Sequence, residues 1–97
     1  HVESTGYSIV RDLVGHGIGT KLHLEPQVPN FSSPMSADHN VELKEGMCLA
    51  IEPMVNLGSR FIKTDTDGWT IRTQDGQPSA HFEHSILITK LQPRILT

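Results

Sequence analysis

Cysteine is almost absent from the sequence, which has only Cys48 among its 97 residues. A single cysteine cannot form a disulfide within the chain, so a reducing compartment is favoured over secretion. A zinc site built from several thiolates is excluded for the same reason. Any metal chemistry in this chain must therefore depend on histidine and carboxylate side chains.

Long apolar runs and a strong excess of one charge are also lacking. No apolar stretch approaches the ~18 residues that a membrane-spanning helix needs, and no signal peptide is visible. The net charge is −3 and the isoelectric point is about 6.0. A weakly acidic chain is a poor candidate for binding nucleic acid. The composition therefore predicts a protein that binds neither membranes nor nucleic acids.

The apolar share of the sequence is low for a globular domain, at 36%. A chain of this length also buries a smaller fraction of its surface than a large domain does. The first residue is His1 rather than methionine. We therefore expect one domain or less, and a chain that begins after processing or within a longer protein.

The first segment fits two local structures. Ile9, Val10, Leu13 and Val14 have the spacing of one apolar helix face. The stretch that begins at Gly6 and runs to Ile9 fits a turn followed by an extended strand equally well. The pattern alone leaves both structures open.

The remainder of the chain predicts strands and loops. Residues 26–40 are rich in proline, serine and asparagine, which indicates loop or extended chain rather than helix. Residues 47–51 follow a Glu-Gly turn and form a candidate buried strand. Asp67-Gly68 indicates the turn of a hairpin, and residues 80–89 indicate one central strand. The expected class is mixed α and β, with strands dominating.

Two glutamates occupy positions where an unpaired carboxylate is unfavourable. Glu52 ends the apolar run at 49–51, and Glu83 enters the apolar strand candidate that follows it. An ionised carboxylate on a buried strand needs a partner or a metal ion. His16, which lies between glycines, is a candidate third ligand, and a set of one imidazole and two carboxylates suits Mn, Fe, Co or Zn. His23, seven residues later, could donate a hydrogen bond or carry a proton at the same pocket.

Structural roles are the alternative for each of these residues. A glutamate beside a strand is often paired with a base or placed at a strand end, and a histidine in a glycine-rich turn often has no ligand. Taken alone, a tryptophan such as Trp69 is more often a core residue than a wall of a substrate pocket. The remaining histidines are interpreted as surface or structural residues: His1, His39, His81 and His84.

Taken together, four segments resemble the C-terminal half of the type I methionine aminopeptidases. They are GHGIGTKLHLEPQVPNF, LKEGMCLAIEPMV, DGWTIRTQDGQPSAHFEHSILIT and the final ILT, and they follow one another in order from about Gly6 to Thr97. The resemblance implies that residues 1–97 are the C-terminal half of a single catalytic domain. The fold that it implies is the α+β pita-bread fold, in which two related halves enclose a dinuclear metal site.

The resemblance also implies an activity and a role for each site residue. The family removes the initiator methionine from new polypeptides with two divalent metal ions (Co, Mn, Fe or Zn), which lower the pKa of a shared water. His16, Glu52 and Glu83 match metal ligands of the family, with Glu83 bridging both ions and Glu52 also handling a proton. His23 matches the histidine that contacts the scissile amide. Trp69 matches a wall of the methionine pocket, and Leu22 stands where many relatives carry an aromatic residue at its edge.

The same resemblance names partners and a location. The family site needs two aspartates and a further histidine from an N-terminal half, so that half is an expected partner of this chain. Nascent chains as substrate imply the cytoplasm, with the ribosome as a further candidate partner. Two alternatives stay open: a proline-specific dipeptidase or creatinase-like enzyme of the same fold, and a non-catalytic protein-binding module.

Overall fold

The structure is a computed structural model that describes residues 1–32 and 40–97, so His39 and much of the loop predicted at 26–40 lie outside the described residues. Within these ranges a short 3-10 helix at Glu3–Thr5 is followed by ten strands. The strands are β1 (Ser8–Ile9), β2 (Gly15–Ile18), β3 (Leu24–Val28), β4 (Cys48–Ile51), β5 (Met54–Asn56), β6 (Ile62–Thr64), β7 (Ile71–Thr73), β8 (Ser79–His81), β9 (His84–Leu87) and β10 (Arg94–Ile95). The predicted dominance of strands is confirmed, and no α-helix occurs in the described ranges.

Every strand pairing in the described ranges is antiparallel, and the pairings form three sheets. The largest has five strands in the order β10-β9-β4-β2-β3, the second has the order β1-β5-β8, and β6 pairs with β7 alone. β4 and β5 belong to different sheets although only Glu52 and Pro53 separate them. Those two residues therefore lie where the two larger sheets meet.

The first segment adopts the extended alternative. Gly6 has a left-handed conformation at φ 90°, which glycine adopts without a steric penalty, and it ends the 3-10 turn. Ile9 in β1 then pairs with Val55 in β5, and the backbone N–H of Val10 donates to the carbonyl of Met54 at 3.1 Å. Pairing with β5 takes the place of the helical face that the apolar spacing also allowed.

β4 is a buried strand at its centre, as the apolar run at 47–51 predicts. Leu49 and Ala50 are 2% and 0% exposed, and β4 is a central strand with β2 paired to one edge and β9 to the other. The other buried apolar residues are Ile9, Val10 and Met54. This small core holds β4 in place, and Glu52 follows directly after it.

The prediction of one central strand over residues 80–89 is wrong, because the structure divides it. Residues of β8 pair with β5, whereas residues of β9 pair with β4, so the chain changes sheet at Phe82 and Glu83. The break faces the matching break at Pro53, and the backbone N–H of Phe82 contacts the Pro53 carbonyl at 3.5 Å. Proline has no N–H with which to continue the hydrogen bonds between strands. The segment at Pro53 and the segment at Phe82 therefore change sheet opposite one another.

The predicted hairpin is confirmed as β6 and β7, with Thr64 opposite Ile71. Asp67 and Gly68 lie in its turn, and Gly68 has φ 73°. The described residues contain no helix long and apolar enough to cross a membrane.

Candidate metal centre

Strand register brings His16 and Glu52 together. His16 in β2 lies opposite Ala50 in β4, and residues two apart along an extended chain point to the same side. Glu52 follows Ala50 by two positions, so its side chain is directed toward His16. His16 Nε2 lies 3.3 Å from Glu52 Oε1, and the two side chains are only 14% and 15% exposed.

The imidazole of His16 has a defined orientation. Its Nδ1 lies 2.9 Å from the carbonyl oxygen of Gly17, and only an N–H can donate to that oxygen. The Nδ1 hydrogen bond leaves the lone pair of Nε2 directed at the carboxylate of Glu52. Two facing lone pairs need a proton or a metal ion between them, and a backbone-anchored imidazole is the usual form of a histidine ligand. His16 and Glu52 therefore fit a divalent cation.

His23 lies beside His16, which is the placement that the sequence left open. The two ring centroids are 4.2 Å apart and the ring planes are inclined by 46°. The side chain of His23 is exposed, and His23, His16 and Glu52 line one cleft of ≈ 640 Å³. The exposed side chain of His23 can contact a ligand in the cleft, whereas Glu52 is enclosed, with 15% of its side chain exposed.

Trp69 lines the same cleft but is 87% exposed, which excludes the core alternative for this residue. The turn before β7 sets its position, since Asp67 Oδ1 accepts hydrogen bonds from the backbone N–H of Trp69 at 2.9 Å and of Thr70 at 2.8 Å. Hydrogen bonds from Thr70, first from its hydroxyl and then from its backbone, lower the pKa of Asp67. Leu22 is 68% exposed and lies outside the set of residues that line the cleft.

Glu83 does not lie on a buried strand, which corrects the argument that its burial demands a partner. It lies in the break between β8 and β9, is exposed, and is not among the residues that line the cleft. Glu52, by contrast, has the enclosed position that the apolar run before it predicts. The structure thus brings His16, His23, Glu52 and Trp69 together and leaves Glu83 at the surface.

His81 is the cleft residue that sequence reasoning missed. The sequence indicates a surface or structural residue, whereas the structure places its Nε2 3.4 Å from Glu52 Oε2. The only sequence signal was its place two residues before Glu83, within the same motif. Asp12 and Arg72 also line the cleft. His84 does fit a structural role, since its Nδ1 lies 2.7 Å from the carbonyl oxygen of Thr97.

His16 and Glu52 by themselves do not complete a metal site. Across residues 1–32 and 40–97, no group of three or more His, Cys, Asp or Glu side chains is arranged as a complete metal site. His16 and Glu52 supply two suitable donors, and zinc-type ions normally take four. Other groups must complete the coordination if an ion is held here.

Comparisons with known proteins agree with this geometry. Residues 1–90 match the model of metallopeptidase family M24. The chain is 54% identical over 97 residues to a methionine aminopeptidase of Clostridium perfringens and 52% identical to methionine aminopeptidase 1 of Bacillus subtilis. Both alignments cover 100% of this chain and 38% of the relative, so the chain spans well under half the length of these curated relatives.

Solved structures show the same relationship. The crystal structure of methionine aminopeptidase from Thermotoga maritima superposes with a TM-score of 0.90 at 51% identity, covering 99% of this chain and 37% of that one. The enzyme from Rickettsia prowazekii gives a TM-score of 0.88 at 41% identity, covering 97% and 37%. The strands described above are therefore the corresponding part of the pita-bread fold. Together, the family match, the identities and the superpositions show that this chain belongs to metallopeptidase family M24.

Proposed function

We propose that this chain is the C-terminal part of a methionine aminopeptidase, which hydrolyses the N-terminal methionine from new polypeptides. One observation carries the proposal: His16, His23 and Glu52, distant in sequence, converge on one cleft that Trp69 also lines. The chain that builds this cleft is about half identical to methionine aminopeptidases along its whole length. An enclosed carboxylate with two imidazoles suits metal-assisted hydrolysis better than a purely structural role.

His16 and Glu52 are the proposed ligands for a divalent metal ion, and Glu83 is proposed as a further ligand shared between two ions. A bound divalent metal supplies a water of lowered pKa and polarises the carbonyl of the substrate. The carboxylates and one imidazole suit Mn, Fe, Co or Zn. The exposed position of Glu83 leaves it free to reach groups outside this chain.

His23 and Glu52 are the proposed catalytic residues. The exposed imidazole of His23 donates a hydrogen bond to the scissile amide and stabilises charge that develops there, where a fixed donor has its largest effect. Glu52 accepts a proton from the attacking water and passes it to the leaving amine. The side chain of Glu52 is only 15% exposed, so the positions open to its carboxylate during that transfer are few.

Trp69 and Leu22 are the proposed substrate contacts. Trp69 offers an exposed indole face at the cleft, which suits the soft and flexible thioether of methionine. Leu22 is adjacent to His23 and is proposed as an aliphatic edge of the complete pocket, although it does not line the cleft of this chain. The proposed partners are the N-terminal half of the same domain, the nascent chain and the ribosome, and the proposed location is the cytoplasm.

A hybrid enzyme tests the proposal, in which this chain replaces the matching segment of the Bacillus subtilis methionine aminopeptidase 1. We expect the hybrid to release methionine from Met-Ala-Ser and to leave an X-Pro dipeptide intact. Glu83→Gln should lower both metal content and turnover, whereas Glu42→Gln, at another exposed glutamate, should change neither. A folded hybrid that cleaves only the X-Pro dipeptide, or neither peptide, would contradict the proposal. If Glu83→Gln leaves metal content and turnover unchanged, the shared-ligand role is wrong.

A further inference from the structure

Glu52 lies at the junction of the two larger sheets. It follows β4 of the five-stranded sheet and precedes β5 of the three-stranded sheet. The ladder of each sheet stops here, so the position of the Glu52 side chain is not set by strand pairing of its own residue. Side-chain contacts must set it.

Each sheet brings one histidine to this carboxylate. His16 lies opposite Ala50, two residues before Glu52, and His81 lies opposite Met54, two residues after it. Because residues two apart in an extended chain share a side, both imidazoles are directed at Glu52 from opposite directions. The symmetry of the two registers makes His81 the counterpart of His16 in the second sheet.

The two imidazoles contact different oxygens. His16 Nε2 lies 3.3 Å from Oε1, and His81 Nε2 lies 3.4 Å from Oε2. The side chains differ in exposure, at 14% for His16 and 47% for His81, so the first is enclosed with Glu52 and the second lies at the rim. A carboxylate held through one oxygen has its other oxygen directed at the opposite group.

We propose that His81 is a positioning residue for Glu52. Its imidazole holds Oε2, which turns Oε1 toward His16 and the metal site. The inference rests on the proposed role of Glu52 as a metal ligand and extends it to a residue with no role so far. Ligating carboxylates are commonly held by a second hydrogen-bonding group, and loss of that group lowers metal affinity or activity by about 10–100-fold.

Metal affinity of the hybrid enzyme tests this role directly. The titrant is Co²⁺, followed by the visible absorption of the bound ion and by calorimetry. We expect His81→Ala to weaken binding of the first equivalent by about 10–100-fold. His81→Gln should recover much of that loss, because its amide N–H can still donate to Oε2. Ser79→Ala, on the same strand and also lining the cleft, should bind Co²⁺ like the unchanged hybrid.

A purely structural role for His81 predicts a different pattern. His81→Ala would then lower the melting temperature of the metal-free protein while metal affinity stayed the same, and that result would overturn the inference. Equal losses in His81→Ala and His81→Gln would also overturn it, because donation to Oε2 would not be what matters. Glu52→Gln distinguishes failure of the proposed metal site from failure of the role of His81. If it leaves affinity unchanged, the proposed metal site itself fails; if it alone weakens binding, the site stands and only the role of His81 fails.

Discussion

At the scale of single residues, the glycines on either side of His16 allow the backbone of β2 to lie close to its neighbouring strands. The GHGIG segment predicts a chain that approaches another group closely. A Cβ on Gly15 would collide with the carbonyl oxygen of Ala50, and one on Gly17 with that of Glu25. The close neighbours are thus the adjacent strands. The glycines let β2 insert between β3 and β4 and carry His16 to Glu52.

Gly17→Ala should therefore destabilise the hybrid enzyme by about 1–3 kcal/mol, as overpacking in a well-packed region does. The methyl group would meet backbone atoms of Glu25, which cannot rotate away. Thermal and urea unfolding measure the loss. Gly19→Ala is the matched control, because its Cβ would meet only the flexible end of Leu24, at 2.9 Å. Equal melting temperatures for the two variants would contradict the explanation.

Single residues also mark where sequence reasoning was incomplete. The apolar run before Glu52 indicates its enclosed position, but the apolar run after Glu83 does not bury Glu83, so proximity to such a run is an incomplete signal. His81 was not predictable from its neighbours, since its contact depends on pairing between β5 and β8. The core alternative for Trp69, which the usual burial of tryptophan favours, is excluded because a turn holds the side chain exposed at a cleft.

At the scale of elements, hydrogen bonds within the turn of the β6–β7 hairpin fix a residue that lines the cleft, Trp69. Asp67 accepts hydrogen bonds from the backbone of Trp69 and Thr70, and from the Thr70 hydroxyl at 2.6 Å. Asp65 contacts Arg72 across the hairpin at 2.6 Å. The Asp-Gly signal predicts this turn because glycine adopts the positive φ that the turn requires. The same turn sets the position of Trp69.

The pKa of Asp67 should lie below its ordinary value of 3.8. Since the folded pKa is lowered, the stabilisation of the turn is complete above 3.8, declines below it, and is lost once the pH has fallen through the folded pKa. Carboxyl-resolved NMR titration measures the pKa. Thr70→Val removes the largest cause, the hydroxyl hydrogen bond, and should raise the pKa toward 3.8. An unchanged pKa in Thr70→Val would contradict the assigned cause.

The division of residues 80–89 shows the limit of patterns within one element. Alternation followed by apolar residues is the same whether a segment stays in one sheet or changes sheet. The segment changes sheet at Phe82 because the chain opposite it is already broken at Pro53. The cause is thus a residue on another strand. The same break leaves Glu83 outside both ladders.

At the scale of the whole molecule, the described chain is open for its length. Its radius of gyration is 14.7 Å, against about 12.5 Å expected for a compact domain of this size. Large apolar side chains with over half of their surface exposed lie mostly outside the strands, with only Ile95 in a strand: Leu22, Leu43, Leu57, Trp69, Phe82, Leu91, Ile95 and Leu96. Exposed apolar side chains in this number are what we expect if the proposed N-terminal half covers part of this surface.

The 97-residue chain produced alone should therefore bind the apolar dye ANS and self-associate with increasing concentration. The hybrid enzyme also contains the N-terminal half of the proposed domain. It should therefore bind less dye and sediment as one species. Fluorescence and analytical ultracentrifugation measure both. A lone chain that sediments near 10.7 kDa at all concentrations and binds no dye would contradict the covered face.

The sequence by itself determined the features that depend on neighbouring residues. The turns at Gly6 and Gly68, the buried strand before Glu52 and the hairpin follow from local backbone preference and burial, which the chain encodes within a few residues. Its motifs also determined the family, because GHGIG and IEPMV combine in one order. Only the tertiary structure decided that His16 and His81 contact opposite oxygens of Glu52 and that Glu83 stays exposed. Those outcomes depend on strand register between distant segments, and no local pattern specifies that register.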